Sequence, residues 1–388
     1  MKKKLDRHLI VLALLLLVAL LAQFQGSDIP EEALRHLMSQ KDAKITKISS
    51  SPAIYRLHNA SSKKANTPMG YVVVGTGNGY GGPMRVATLY DESGEVQKVT
   101  ILSHKDTPSF IDLVTTKNLP AAFKGVLVEK SATTALSVDA ISGATYSSMG
   151  MAQAVSQAST ALAVQLGRPV KKPSAAPWKI SAKELWVAAL LLAAMFAGIT
   201  GKKRMRWPLL LSGLVILGFS FNAPLSVAQI ARALFGYLPP FSENMAWYLM
   251  VVAMPLAIFI TGKNIYCTFI CPFGAVQELA TKISGKNLSC GACVKKRARS
   301  LKVALLALAL FMALFTKNPS SASYEPFATL FGLKGSLWQW VLLPAIVFSA
   351  FLFSRIWCRF FCPVSPVLDA VATWGRRLKS RIAKTEEP

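Results

Sequence analysis

Two stretches of this chain say the same thing in cysteine. Ile265 to Glu278 reads IYCTFICPFGAVQE, and Ile356 to Asp369 reads IWCRFFCPVSPVLD. Both run isoleucine, aromatic, Cys, x, Phe, x, Cys, Pro, and both place an acid seven residues after the second cysteine. On a helix, Cys267 and Cys271 would share a face. Pro272 disfavours helical geometry at Cys271 and suits the first turn of a new helix. Cys271 is therefore expected at an N-cap, where free N–H groups and the helix dipole favour a thiolate. Cys358, Cys362 and Pro363 repeat the construction. Four thiolates are the usual ligands of an iron–sulfur cluster. Structural zinc takes the same four ligands, and buried apolar cysteines need no metal at all. The matched context of the two pairs favours two half-sites, 91 residues apart, converging on one cluster, 4Fe–4S ahead of 2Fe–2S. The remaining pair, Cys290 and Cys293 in NLSCGACVKKR, is a lone CxxC and stays open between redox pair, metal half-site and neither. Two four-cysteine clusters need eight ligands, and the chain has six cysteines. Arg355, Arg359 and Lys263 lie near the cysteines and either offset cluster charge or mark a membrane edge.

A second phrase, DAISGATYSSMG from Asp139 to Gly150, has different chemistry. A Ser-Gly-Ala-Thr turn leading into a helix presents a hydroxyl and several N–H groups, which suits a phosphate. On chemistry alone it is equally a capping turn. Upstream, GTGNGYGGPM (75–84) contains Gly79, Tyr80, Gly81 and Gly82 and is glycine-rich enough for backbone to approach a ligand closely, or to make a plain hairpin turn. SHKDTPSF (103–110) contributes His104, Thr107 and Pro108.

These residues must be positioned by two kinds of structure. Hydrophobic residues make up 52% of the chain and charged residues only 16%, below the roughly 25% of soluble domains. Apolar runs lie at 9–24, 185–200, 207–222, 246–262, 301–316 and 337–354, against the 17–25 residues that span a bilayer. The chain is expected to be an integral membrane protein. Its formal charge of +25 sits at the ends of apolar runs, as topology and anionic lipid require, so nucleic acid is not the expected partner. Residues 1–27 read as an N-terminal anchor rather than a cleaved signal, because Leu20 spoils the small-x-small site before Ala22. Residues 28–178 read as a soluble α+β domain, with strands in YVVVGTG, PMRVATLYDESG and EVQKVTILSH, a DESG hairpin turn and a helix from Met149 to Leu166. Residues 179–388 read as five membrane helices carrying the two CxxxCP repeats. Lys/Arg-rich segments alternate along the chain, so six spans with both termini in the cytoplasm are expected, with the soluble domain in the periplasm of a bacterial inner membrane. Each cysteine phrase is expected where a span meets the cytoplasmic surface. The apolar face Val364, Val367, Leu368, Val371 and Trp374 is expected to lie in that surface.

The phrase DAISGATYSSMG resembles the covalent flavinylation motif of FMN-binding domains in the NqrC/RnfG group. The resemblance implies FMN esterified to Thr145 by a separate flavin transferase, with Asp139, Ser142, Gly143 and Ala144 as recognition residues. SHKDTPSF is similar to the Glu-Thr-Pro-Gly segment that lies against the flavin in that group, with Asp106 and Ser109 as departures. The whole chain, including the YEPFATLFG loop at 324–332, resembles NosR/NapH-type membrane iron–sulfur flavoproteins. That group often continues into a cytoplasmic ferredoxin domain, and this sequence stops at Pro388 without one. Further clusters are therefore expected on a partner.

The resemblance implies a transmembrane electron conduit: a cytoplasmic-side donor such as a ferredoxin-like protein, the cysteine-bound cluster, the external FMN, and an external acceptor. The alternatives are a redox sensor or assembly factor for a periplasmic reductase, and a thiol–disulfide conduit. A thiol relay needs an external thiol partner, since the external domain has no cysteine. Haem is disfavoured, because His8, His36, His58 and His104 all precede the five C-terminal spans and no CxxCH occurs.

Overall fold

The computed structural model describes residues 7–23, 43–50, 52–59, 68–106, 108–134, 144–170, 182–239, 241, 244–286, 288, 292–333, 335 and 337–385. The chain forms two compact units, one of residues 25–177 with Tyr237–Pro239, the other of residues 1–24, 178–236 and 240–388. Asp139, Ser142, Gly143, Thr107 and Cys290 lie outside the described residues. For Thr145, Ser109 and Cys293 only the backbone is described.

The smaller unit is an antiparallel meander in the order β1 (Ala43–Ser50), β2 (Ala53–Asn59), β3 (Pro68–Asn78), β4 (Pro83–Tyr90) and β5 (Val96–Ser103). The DESG turn joins β4 to β5, with the Asp91 carboxylate accepting from Ser93 Oγ and the Glu95 N–H. β1 and β2 were not marked by the sequence pattern. The lysines and serines of β1, and Arg56 and His58 of β2, interrupt the apolar pattern that made β3–β5 visible. On one face, Val73, Met84, Val86, Tyr90, Val96 and Val99 are buried under a helix, Thr145–Gln165, through Met151, Val155, Ala158 and Leu162. Two short helices, Pro108–Thr116 and Val128–Thr134, complete this face. The helix lies very close to β3. A Cβ on Gly75 would stand 1.9 Å from the Ala154 carbonyl oxygen, and one on Gly77 would stand 1.9 Å from that of Gly150. The first glycines of the GTGNG run thus serve helix–strand packing.

In chain order these helices are α1 (Arg7–Gln23), α2 (Pro108–Thr116), α3 (Val128–Thr134) and α4 (Thr145–Gln165). The larger unit contains α1 and then α5 (Ala182–Thr200), α6 (Arg206–Gly213), α7 (Val227–Leu234), α8 (Met245–Thr261), α9 (Pro272–Ser284), α10 (Ala292–Phe315), α11 (Phe327–Gly332), α12 (Leu337–Leu352), α13 (Ile356–Phe360) and α14 (Val364–Thr385). The chain therefore combines an antiparallel α+β unit with a helical one. Two stretches, Ala182–Thr200 and Arg297–Phe315, are long and apolar enough to cross a membrane, while Met245–Thr261 and Leu337–Leu352 are shorter apolar helices. Phe196, Ile199, Phe311 and Phe315 are 51–76% exposed on the two longer ones. Contiguous apolar exposure of this kind suits lipid far better than water.

α14 differs from expectation. Val364, Val367 and Leu368 are buried in the helical core, and Arg376 Nη1 donates to the Gly262 carbonyl at 2.5 Å. A Cβ on Gly375 would lie 2.1 Å from the Phe259 carbonyl oxygen. Its apolar stripe is covered by protein through Leu368 and open only further on, where Trp374 is 55% exposed and meets Phe259 edge to face.

Candidate functional site: a four-cysteine cavity and a glycine-loop cradle

The two cysteine phrases fold alike. Tyr266–Ile270 forms one wide π-helical turn, in which the Cys271 N–H reaches back to the Tyr266 carbonyl at 2.9 Å. The Cys362 N–H makes the same bond to the Trp357 carbonyl, also at 2.9 Å. These carbonyls belong to the matched aromatics, and both rings are almost fully buried. Cys271 is the N-cap of α9, which Pro272 opens, and Cys362 stands two residues before the first residue of α14. Cys271 Sγ accepts the Gly274 N–H. The phrase is thus a backbone device that turns two sulfurs inward at the end of a short helix.

Cys267, Cys271, Cys358 and Cys362 all line one cavity of about 500 Å³. The two phrases hold each other across it. Asn264, three residues before Cys267, donates from Nδ2 to Asp369 Oδ1 at 2.8 Å. Arg355, three residues before Cys358, places Nε 2.5 Å from Glu278 Oε1. Glu278 and Asp369 are the two acids at matching offsets, so the residue leading each phrase grips the acid trailing the other. The first-cysteine carbonyls are also matched: Arg355 Nη1 donates to that of Cys267 at 2.6 Å, and Lys302 Nζ to that of Cys358 at 3.4 Å. Gln277 adds a bridge, accepting the Trp357 N–H and donating to Cys358 Sγ. Sequence reasoning noticed the acids but missed Asn264, Gln277 and Lys302. The 91-residue repeat was the signal that could have found Asn264, which stands where Arg355 stands in the other copy. Of the basic residues singled out, Arg355 and Arg359 line the cavity. Lys263 instead bonds the Gly198 carbonyl near the end of α5.

The four cysteines lining the cavity are the ligand set of an iron–sulfur cluster. Four thiolates on one zinc at about 2.3 Å stand about 3.8 Å from one another. Among the described residues no group of three or more His, Cys, Asp or Glu side chains is arranged to hold one metal ion. Four sulfurs spread around a space of this size leave room for a polynuclear centre. Arg355 Nη2 is buried with no hydrogen-bond partner among the described residues and belongs to the cavity wall, as an anionic occupant requires.

The cysteine cavity lies along α10. Lys302, in the third turn of α10, bonds the Cys358 carbonyl. Tyr324, beyond the far end of α10, donates to the Phe361 carbonyl at 2.6 Å. α13 therefore lies alongside α10, not at its first turn. Leu225 and Phe327, from the two connections on that far side, line the same cavity, and the Leu225 N–H bonds the Tyr266 hydroxyl. Irregular backbone inside a helical layer is tolerated where it lines a cavity or is satisfied by protein.

In the smaller unit, Gly79 to Gly82 form the tight β3–β4 hairpin, closed by a Gly79 N–H to Gly82 carbonyl bond. Gly82 has φ +146°, which favours glycine. Asp106 is fully buried against this loop. It accepts the Gly81 N–H on Oδ1 at 2.7 Å and the Ser147 hydroxyl on Oδ2 at 2.5 Å. A Cβ on Gly79 would lie 2.4 Å from Asp106 Oδ2. Asp106, set down as a departure from the flavin-facing glutamate, instead clasps the glycine loop to the first turn of α4. Thr145 is the first residue of α4, after Ala144, whose side chain offers no cap. The leading N–H groups of a helix are those suited to phosphate. Tyr80 packs against Phe110 and Tyr146, with ring centroids at 5.2 and 6.3 Å, beside the same helix end. Phe110 and Tyr146 were not anticipated as neighbours. His104 meets the Asp106 carbonyl through Nδ1 at 3.1 Å, and Pro108 opens α2 on the exposed side.

The hairpin and helix start, and the cysteine cavity, define a protein with a flavin-type unit and an iron–sulfur-type unit, and comparison with known proteins agrees. Residues 79–160 match the FMN-binding domain family, and residues 243–290 and 339–381 match the 4Fe-4S binding domain family. Both cysteine phrases fall within the second match. Protein NirI of Paracoccus denitrificans is 27% identical over 51% of this chain and 32% of its own length. Regulatory protein NosR of Stutzerimonas stutzeri is 25% identical over 42% of this chain and 24% of its own length. The methylamine utilization ferredoxin-type protein MauN of Methylobacillus flagellatus is 29% identical over 30% of this chain and 42% of its own length. The chain spans less than half the length of each. These similarities bear out the resemblance to NosR-type membrane iron–sulfur flavoproteins and support electron transfer through flavin and iron–sulfur centres.

Proposed function

We propose that this protein conducts electrons across a bacterial inner membrane, between a 4Fe–4S cluster on Cys267, Cys271, Cys358 and Cys362 and an FMN esterified to Thr145. The observation that carries the reading is that four cysteines from two distant repeats face one cavity in a chain that also has a flavin-type domain. When bound, the cluster supplies single-electron transfer and FMN interconverts one- and two-electron steps. The chain's residues do the rest. The cap position of Cys271 favours a thiolate. Asn264, Glu278, Arg355 and Asp369 fix the spacing of the two pairs. Arg355 and Lys302 set positive charge beside the sulfurs. Asp106 fixes the glycine loop against the helix start, and Tyr80, Phe110 and Tyr146 form an apolar wall beside it. The proposed topology has six spans, cytoplasmic termini and the flavin unit in the periplasm, with electrons entering from a ferredoxin-like cytoplasmic donor and leaving to a periplasmic acceptor. A separate flavin transferase matures Thr145.

The test is sided reduction. The full chain is reconstituted in liposomes with a membrane-impermeant reductant on the side opposite the flavin. Loss of flavin absorbance in the native protein, absent in Cys271→Ala, is the expected result. Equal bleaching in both would sink the conduit. A second reading, that the same cofactors pass a regulatory signal, is favoured by the similarity to regulatory protein NosR. It predicts flavin reduction without onward turnover to any periplasmic acceptor.

A further inference from the structure

The two half-sites are matched in backbone but not in charge. Where the first phrase is led by Asn264, the second is led by Arg355. Arg355 has φ +54°, a conformation non-glycine residues seldom adopt, and its guanidinium is held on two sides. Nε faces Glu278 and Nη1 is bonded to the Cys267 carbonyl. Nε meets Glu278 as an ion pair without a hydrogen bond, and Nη2 is buried with neither kind of partner among the described residues. Its location follows from Gly274: a Cβ there would lie 3.5 Å from Nη2 and 3.6 Å from the Cys271 Cβ. The free donor therefore sits beside Cys271 at the cavity wall. Glu278 does not cancel the charge, because Arg206 pairs with the same carboxylate oxygen. Two cations share one anion, and the surplus is positive. The opposite corner is different. There Asn264 is neutral, and Asp369 accepts from Ser365 Oγ, which in turn takes Lys302 Nζ.

We infer that Arg355 tunes the cofactor held by the four cysteines, raising its reduction potential through a fixed positive charge and a donor beside Cys271. Resting on the cluster reading above, the inference concerns what this chain's residues do to that cluster. Cluster potentials follow net charge and hydrogen bonds to the sulfurs. Reduction adds negative charge, so a positive neighbour that cannot swing away favours the reduced form. A planar guanidinium can hold a carboxylate, a carbonyl and a sulfur at once, which an ammonium on a flexible stem cannot.

The test is an EPR-monitored redox titration of the full chain, purified anaerobically, with iron and acid-labile sulfide measured alongside. Four proteins are compared: native, Arg355→Gln, Arg355→Lys and Glu278→Gln. The midpoint should fall in Arg355→Gln and fall less in Arg355→Lys. It should rise in Glu278→Gln, which removes the neighbouring negative charge. Opposite signs are the signature of charge. Shifts in the same direction in Arg355→Gln and Glu278→Gln would show disrupted structure, and an unchanged midpoint in Arg355→Gln would show no influence; either overturns the inference. If Arg355→Gln contains no iron, Arg355→Lys decides. A cluster of near-native midpoint there supports a charge role, and iron loss there too assigns Arg355 to structure alone. Native protein without iron or sulfide would instead remove the cluster reading itself.

Discussion

The two units build their sites by opposite means. In the smaller unit, backbone segments are pressed together by the absence of side chains. Gly75, Gly77 and Gly150 let β3 and α4 touch backbone to backbone, and one carboxylate, Asp106, fastens the loop beside them. In the larger unit, two phrases offset by 91 residues are brought together by long polar side chains, Asn264 to Asp369 and Arg355 to Glu278. A site built on close backbone packing is sensitive to added bulk. A site built on cross-ties is sensitive to lost charge.

Complete losses should separate the units most cleanly. Cys271→Ala or Cys362→Ala should each remove iron and sulfide while leaving flavin bound, as metal analysis and in-gel fluorescence of the same sample will show. A variant keeping full iron would break the picture of two interdependent halves. Thr145→Ala should do the reverse, abolishing flavin fluorescence after denaturation with iron retained. Covalent flavin surviving that change would remove Thr145 as acceptor.

Partial effects come next. Glu278→Ala leaves Arg355 and Arg206 without their shared anion, and breaking a buried pair costs about 3–5 kcal/mol. The neutral-to-acid tie of Asn264→Ala should cost less, about 1–3 kcal/mol. Chemical denaturation of the detergent-solubilised protein checks the order. Gly77→Ala should cost about 1–3 kcal/mol by overpacking, visible as a lower melting temperature for flavin release with the iron signal unmoved. The smallest effect concerns Asp91. Partial burial raises its pKa, but hydrogen bonds from Ser93, the Glu95 N–H and Gln97 outweigh this and leave it below the ordinary carboxylate value. Its contribution is therefore present above the ordinary carboxylate range and lost as pH falls through the depressed value. Asp91→Asn should be less stable than native at neutral pH, with the gap closing in acid.

The contrast also explains what could be read from the sequence. β3, β4 and β5 were legible because alternating apolar runs end in glycine or in DESG, whereas the lysines and serines of β1 blurred the same period. The N-cap role of Cys271 was legible because Pro272 has few other places to sit. Glycines were visible, but not their use: Gly75 and Gly77 meet a helix about 75 residues away in sequence. Asn264, Gln277 and Lys302 carry no local signal, since a polar residue near a helix end is ordinary until its partner is known. Other neighbours of the cysteine phrases were hidden for the same reason. Tyr324 bonds the Phe361 carbonyl and the Leu225 N–H bonds the Tyr266 hydroxyl, both from segments far away in sequence.

The most direct test of the account is iron and acid-labile sulfide per chain in anaerobically purified protein, measured beside Cys362→Ala. About four of each in the native protein, and neither in the variant, is the result predicted for one cluster shared by both repeats. Zinc without sulfide in the native protein would contradict it, whatever the flavin content.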